Sequence, residues 1–372
     1  MSHGTPRILM LQLYSNGDCL YATAVARQIK QDYPGCYLIW AISTFCKDII
    51  ANNPFIDEIL EINSVPKNNV TAFRKFKKAV FIQKKEGVYD YIFNINNIDT
   101  NQCFYDGTIR GNILGAYSGA INVSVQPVLH LLQSEKDKVH EFIAKYNFNS
   151  FSDVILFEFA PQSGQSKLTK SDALIIAEQI VKKGNYAVVL SSSLKIESNL
   201  PALIDGSKLS IRETAYLTNY CSFLIGTSSG ITWASTADCG KILPMIQILN
   251  PLARWSNSVA LDFQRFKIRN QGVIEIWDHK LQTVVDCVTL ALKDFKKAHH
   301  LFNQPLPIHF KTTRSIIYNL LCYLEFKAIG KHILTNLKTY GFKISFFVEV
   351  INGFLIFPFK LIRNIIVKHI IN

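Results

Sequence analysis

From its start to about residue 300 the chain alternates short apolar runs with segments of helical period. Residues 7–13 form an apolar run, Ser15-Asn16-Gly17-Asp18 a polar turn, and 19–32 space Leu20, Ala24 and Ile29 as on one helix face. Tyr33-Pro34-Gly35 stops that helix and 37–42 reads as a second strand. The run 56–62, a basic helix over 72–85 and the run 89–95 continue the series, and a polar helix over 134–146 closes it. A second series follows, with strands at 154–159, 187–191, 222–225 and 243–249. Helices at 170–183 and 210–218 lie between them, and a glycine-bracketed turn at 226–230 precedes one more. Such alternation predicts parallel sheets covered by helices on both faces. The expected fold class is α/β, with one Rossmann-like domain over 1–133, a linker helix over 134–150 and a second Rossmann-like domain over 151–300. Ligands of such folds bind beyond the carboxyl ends of the strands, here in a cleft between the halves.

The alternation stops near residue 301, and 301–372 reads as a basic, amphipathic helical tail. Between 311 and 372 stand nine Lys or Arg and only two acids, Glu325 and Glu349, so this stretch holds +7 of the chain's +12. Near the end, Leu361, Ile362, Ile365 and Ile366 alternate with Lys360, Arg363 and Lys368 at helical spacing. A membrane span needs about 20 apolar residues, and Glu349, Asn352, Gly353 and Pro358 interrupt 344–362. The tail is expected to lie on an anionic membrane surface; the alternative is that it packs back on the domains.

Composition narrows the partners. At 372 residues and 48% apolar, the chain is long enough for two packed domains. An excess of 40 basic over 28 acidic residues suits nucleic acid, an anionic membrane or phosphate-bearing substrates. Arg74, Lys75, Lys77 and Lys78, set among phenylalanines, read as a basic helix face toward an anionic acceptor or lipid headgroups, and no nucleic-acid partner is expected. The eight cysteines form no C-x-x-C pair and are expected to be reduced. The apolar run at 8–13 is too short for a leader's apolar region, so the expected location is the cytoplasm, peripheral to the inner face of the membrane.

Three stretches could carry chemistry. Asn16-Gly17-Asp18 stands at a strand-to-helix junction, where glycine admits a ligand close to the backbone and a carboxylate can act as general base; an aspartate that merely caps the helix is the plain alternative. Gly226, Thr227, Ser228, Ser229 and Gly230 offer N–H and O–H donors at a helix start, as a phosphate requires, or form only a tight turn. Ser163 and Lys167 follow the first strand of the second half, and Ser192 follows the next; the lysine can neutralise a diphosphate or stand in a solvated loop. No Asp-x-Asp pair is present, with Asp90, Asp99 and Asp153 scattered, so no metal is expected. No dinucleotide fingerprint follows the first strand, which makes an oxidoreductase a distant option.

Gly17-Asp18-Cys19-Leu20-Tyr21-Ala22-Thr23, then Tyr33-Pro34-Gly35 and Asn53-Pro54-Phe55-Ile56-Asp57-Glu58-Ile59, resemble the amino-terminal signature of heptosyltransferase-type (family 9) glycosyltransferases. Ser166-Lys167 resembles that family's donor-phosphate loop. Residues 209–217 leading into Phe223-Leu224-Ile225-Gly226-Thr227-Ser228-Ser229-Gly230 are similar to its C-terminal signature. The resemblance spans roughly 7–250. It implies a GT-B fold, a nucleotide-sugar donor as co-substrate rather than a cofactor, and inverting, metal-independent transfer to a lipopolysaccharide or other surface-glycan acceptor. By position it makes Asp18 the base, places Asn16 and Gly17 on the acceptor side, and assigns Lys167 and the 226–230 turn to the donor, with Glu213 near the nucleoside. Where the family carries an aspartate in that turn, this chain has Thr227 and Ser228, which leaves the donor sugar open between a hexose and a heptose. The rival is a catalytically silent nucleotide-sugar or glycan-binding protein of an assembly complex.

Overall fold

The computed structural model describes residues 5–159, 164–255, 258–277, 280–306 and 308–371, with side chains as far as Pro358. The first half holds β1 (Arg7–Leu11), β2 (Tyr37–Ile42), β3 (Glu58–Glu61) and β4 (Tyr91–Asn94). They form one parallel sheet in the order β3-β2-β1-β4. Around it lie α1 (Asn16–Asp32), α2 (Lys47–Ile50), α3 (Val70–Lys85) and α4 (Ile109–Gly115), and α5 (Gln133–Lys145) follows. The second half contains β5 (Asp153–Glu158), β6 (Tyr186–Ser191), β7 (Leu203–Asp205), β8 (Phe223–Gly226), β9 (Met245–Ile248) and β10 (Val273–Ile276). Its parallel order, β10-β9-β8-β5-β6-β7, is the doubly wound arrangement in which the chain reverses direction between β5 and β8. Its helices are α6 (Lys170–Val181), α7 (Ile211–Leu217), α8 (Gly230–Ala234), α9 (Val259–Arg265), α10 (Leu281–Ala291) and α11 (Phe295–Phe302).

The elements form where the sequence supplies both an apolar face and a start signal. β1 buries Ile8 through Leu11 completely, as a central parallel strand covered on two faces must. Capping boxes open α6 (Thr169 with Asp172) and α7 (Ser210 with Glu213). The expected turn at 15–18 is shorter than its composition suggests. Only Ser15 is left-handed, at φ 70°, and Asn16, Gly17 and Asp18 already form the first turn of α1. An acidic residue there is favoured by the positive end of the helix.

Two buried arginines, Arg110 and Arg212, and the more exposed Arg265 join the halves. Arg110 on α4 bonds Asp262 on α9 at 2.9 Å. Arg265 on α9 reaches back to Asp106 at 2.7 Å. Arg212 on α7 forks onto Glu135 of α5 and also donates to the carbonyls of Ala51 and His130, at 2.7 and 2.6 Å. One apolar core runs across the same seam, from Leu20 and Trp40 to Trp233 and Phe263.

The tail differs from the expectation of a helix lying wholly at a surface. α12 (Lys311–Cys322) and α13 (Phe326–Tyr340) pack on residues 99–105 of the first half, burying Ile316, Ile317, Leu320 and Ile329. Buried polar residues fix the fit: His332 sits between the Cys103 carbonyl and Thr313 Oγ1 at 3.3 and 3.2 Å, and Asn336 donates to the Tyr105 carbonyl at 3.0 Å. α14 (Ile344–Ile371) lies along α12, with Gly353 at the close crossing over Ile317. Among the described residues no helix is long and apolar enough to cross a membrane.

Candidate active site

Both sheets present their carboxyl ends to the seam, and the catalytic candidates leave from the strands where chain direction reverses. β1 runs into Ser15 and α1, β5 into the 164–168 loop, and β8 into the 226–230 turn. The starts of α1 and α8 touch. A Cβ on Gly230 would sit 3.5 Å from Asn16 Cβ, and one on Gly17 would sit 3.5 Å from Trp233 Cδ1. Residues far apart in sequence, Asn16 to Asp18 and Gly230 to Trp233, therefore form the two lips of one cleft. Trp233 is buried there, edge-on to Tyr21 at 5.2 Å.

Asp18 lies deep at this junction, with the residue still partly open to solvent. Burial pushes its carboxyl up to about 7; the Lys67 ammonium pulls it down and the negative charge of a Cys46 thiolate adds to the rise. Cys46 itself is drawn down to about 7, chiefly by a hydrogen bond from Cys19 and against the effect of burial. A carboxyl that exchanges its proton near neutrality suits a general base. At the carboxyl edge of the first sheet, the buried oxygens Gln12 Oε1, Asn16 Oδ1 and Asn97 Oδ1 have no hydrogen-bond partner among the described residues. Buried polar atoms left unpaired at a strand edge mark a place where a polar ligand or water completes the bonding.

The 226–230 turn differs from the expected phosphate cradle. Glu158, at the end of β5 and buried, accepts from Thr227 N–H at 3.1 Å and from the hydroxyls of Ser229 and Thr232. Gln247 Oε1 accepts from Ser228 N–H at 2.9 Å. The donors read as phosphate ligands at Thr227, Ser228 and Ser229 are thus turned onto an internal carboxylate and amide. Ser228 is held left-handed at φ 54°, and the buried hydroxyls of Thr227 and Ser228 have no partner among the described residues. Gly226 admits no side chain, since a Cβ would lie 2.4 Å from Gln247 Nε2 and 2.5 Å from Thr232 Oγ1.

The remaining candidates divide. Lys167 is exposed and has no ionic partner among the described residues; its loop is tied down where Asn250 N–H meets the Gln165 carbonyl at 2.8 Å. Ser192 caps its own loop by accepting from Leu194 N–H at 3.2 Å. Glu213, expected near a nucleoside, is buried and already engaged, with Oε2 taking Ser210 N–H at 2.7 Å and Lys138 at 2.9 Å. Ser163 lies outside the described residues. Sequence reading missed Glu158, Gln247 and Lys67. A glutamate closing an apolar strand is the one signal that could have pointed to the first. Among the described residues no group of three His, Cys, Asp or Glu could hold a metal ion.

No family model and no curated protein matches the sequence. Solved structures do. The glycosyltransferase family 9 structure from Veillonella parvula superposes with TM-score 0.52 at 12% identity, covering 91% of this chain and 99% of that one. The ADP-heptose lipopolysaccharide heptosyltransferase II of E. coli gives 0.53 at 14%, covering 78% and 99%. The chain thus has the GT-B fold of these glycosyltransferases, two doubly wound halves facing across one cleft.

Proposed function

We propose that the protein is an inverting, metal-independent glycosyltransferase that moves a sugar from a nucleotide-sugar donor to a lipopolysaccharide or other surface-glycan acceptor. The observation that carries this is Asp18, a deep carboxyl tuned to about 7 in the first turn of α1, the turn whose Asn16 and Gly17 meet the start of α8 in the other half. In the reaction Asp18 takes the proton of the acceptor hydroxyl as its oxygen attacks the anomeric carbon. The bond to the diphosphate breaks on the opposite face, and the nucleoside diphosphate leaves with the electron pair. Lys167 offsets the charge of that leaving group. The open edge of the turn at Ser229 and Gly230 borders the donor, while Thr227 and Ser228 shape it from behind. The acceptor meets the side lined by Asn16 and Gly17. The enzyme works at the inner face of the cytoplasmic membrane, where a glycolipid acceptor is presented.

The ADP-heptose named for the E. coli structure makes ADP-sugars the first donors to test, with UDP- and GDP-sugars beside them. Thermal shift and nucleoside diphosphate release are measured for the wild type and Asp18→Asn. One donor stabilising both proteins, with release from the wild type alone, supports the reading. Binding without turnover in either favours a second reading, a silent nucleotide-sugar-binding protein, to which the occupied donors of Thr227 and Ser228 also lend weight. Turnover that survives in Asp18→Asn removes Asp18 from its role.

A further inference from the structure

The tail is buried on one side and uncovered on the other, and its uncovered parts converge with a second basic element. α14 runs parallel to α12: Phe346 meets Phe310, Glu349 pairs with Arg314 at 2.8 Å, and Phe357 reaches Tyr318. Past Phe357 the helix continues to Ile371, whereas α12 ends four residues after Tyr318, at Cys322. About ten residues of α14, roughly 15 Å at helical rise, therefore project beyond the α12–α13 turn. Pro358 lies inside α14, next to Phe357. The projecting sequence contains Lys360, Arg363 and Lys368 and no acid.

At the same end the α12–α13 turn exposes Leu324 (71%) and Phe326 (62%). This turn is fastened to α3, because the Arg74 guanidinium lies 3.7 Å from the Tyr323 ring centroid and 3.4 Å from Glu325. α3 has six Lys or Arg and no acid, and Lys75, Lys78 and Lys85 are exposed about one and then two turns apart along it. An apolar tip beside the exposed lysines of α3, with the basic sequence of α14 beyond it, is unfavourable in water alone. It is complementary to a surface with negative headgroups over hydrocarbon.

We propose that this pole, made of the α12–α13 turn, the outer face of α3 and the projecting end of α14, docks the protein on an anionic lipid bilayer. Leu324 and Phe326 enter the headgroup boundary while the lysines of α3 meet lipid phosphates. Each lysine at such a surface contributes roughly 1 kcal/mol, a factor of about five in affinity. The pole belongs to the half that carries Asp18, so that half is the membrane-proximal one and a lipid-linked acceptor approaches from it. This last step rests on the proposed transfer to a membrane glycan; the docking itself does not and is measured separately.

The full-length protein is sedimented with vesicles of phosphatidylglycerol and phosphatidylethanolamine, and with vesicles of phosphatidylcholine alone. Binding to the first and not to the second is expected. Leu324→Glu with Phe326→Glu lowers binding about tenfold or more, and Lys75→Glu with Lys78→Glu does the same, each with an unchanged melting temperature. Phe342→Glu with Ile344→Glu, at the opposite end of α13 where both residues are 73% exposed, binds as the wild type does. The proposal is overturned by wild-type binding of both near-end variants, or by equal binding to phosphatidylcholine. Loss confined to the Phe342 and Ile344 pair also overturns it. So does a dimer in solution that the Leu324 and Phe326 changes dissociate, which would make the tip a self-association face.

Discussion

Arg110 of α4 and Asp262 of α9 form a buried ion pair across the seam, 2.9 Å apart and both sealed from solvent. Tyr21 lies against the guanidinium at 4.4 Å, and a second donor bond runs to the Val125 carbonyl at 2.6 Å. Burial raises the Asp262 carboxyl and Arg110 draws it back down. Truncating Arg110 to alanine strands that carboxylate in the core. The expected loss of stability is about 3–5 kcal/mol in urea unfolding. Arg110→Met with Asp262→Asn should recover part of it, because no charge is then left uncompensated.

Asp18 titrates where an enzyme assay can follow it. The rate is expected to rise about tenfold per pH unit below about 7 and to level off above, with Asp18→Asn slower by about 10²–10⁴-fold above pH 7 and the gap narrowing as pH falls. Cys46 reinforces the raised value, so Cys46→Ser should move the rise to lower pH and keep its slope. A profile that stays in place would assign the titration to another group.

The same carboxyl affects folding with a definite sign. Its folded value of about 7 lies above its ordinary 3.8, so the folded state holds more protons between those limits than the unfolded state does. Stability from this group is complete below about 4 and is lost as pH rises toward 7. Asp18→Asn removes the loss. Its melting temperature should exceed that of the wild type by about 2–4 °C at pH 8, and the gap should close at pH 4.

Glu158 gathers three donors of the glycine turn and its helix. Glu158→Ala leaves the buried Thr227 N–H without an acceptor and the Thr232 hydroxyl only a long contact to Gln247 Oε1 at 3.5 Å, at a cost of about 2–3 kcal/mol. In the proposed enzyme it also raises KM for the donor more than it lowers kcat, since the turn loses its shape without losing the base. Urea unfolding and initial rates measure the two effects.

Lys167 is exposed and free of ionic partners among the described residues, so its removal should leave stability unchanged. Lys167→Ala is expected to lower kcat/KM about 10–100-fold through the leaving diphosphate. A deficit that shrinks as salt screens the charge identifies the effect as electrostatic.

The parallel sheets and the position of Asp18 beside β1 were legible because apolar runs and helical spacing alternate clearly through residue 250. β7 and β10, three and four residues long, left too little pattern to be read. The docking of α12 and α13 was hidden for another reason. A helix with one apolar face looks the same whether it meets protein or lipid, and the distinction here lies in polar residues, Thr313, His332 and Asn336, set at buried positions. Glu158 escaped notice because a single glutamate carries no motif; its meaning comes from β8, which brings Thr227 to it from the neighbouring strand.

Among the described residues the chain passes between the halves at 125–132, ahead of α5, and again after Gln304, which donates to the Glu275 carbonyl of β10, on its way to α12. A body attached at two points turns about the line that joins them. Any separation of the two lips, Asn16 from Gly230, is expected to be a swing about one axis rather than a free splaying, and a cross-link between α12 and β10 is expected to restrict it without touching either lip.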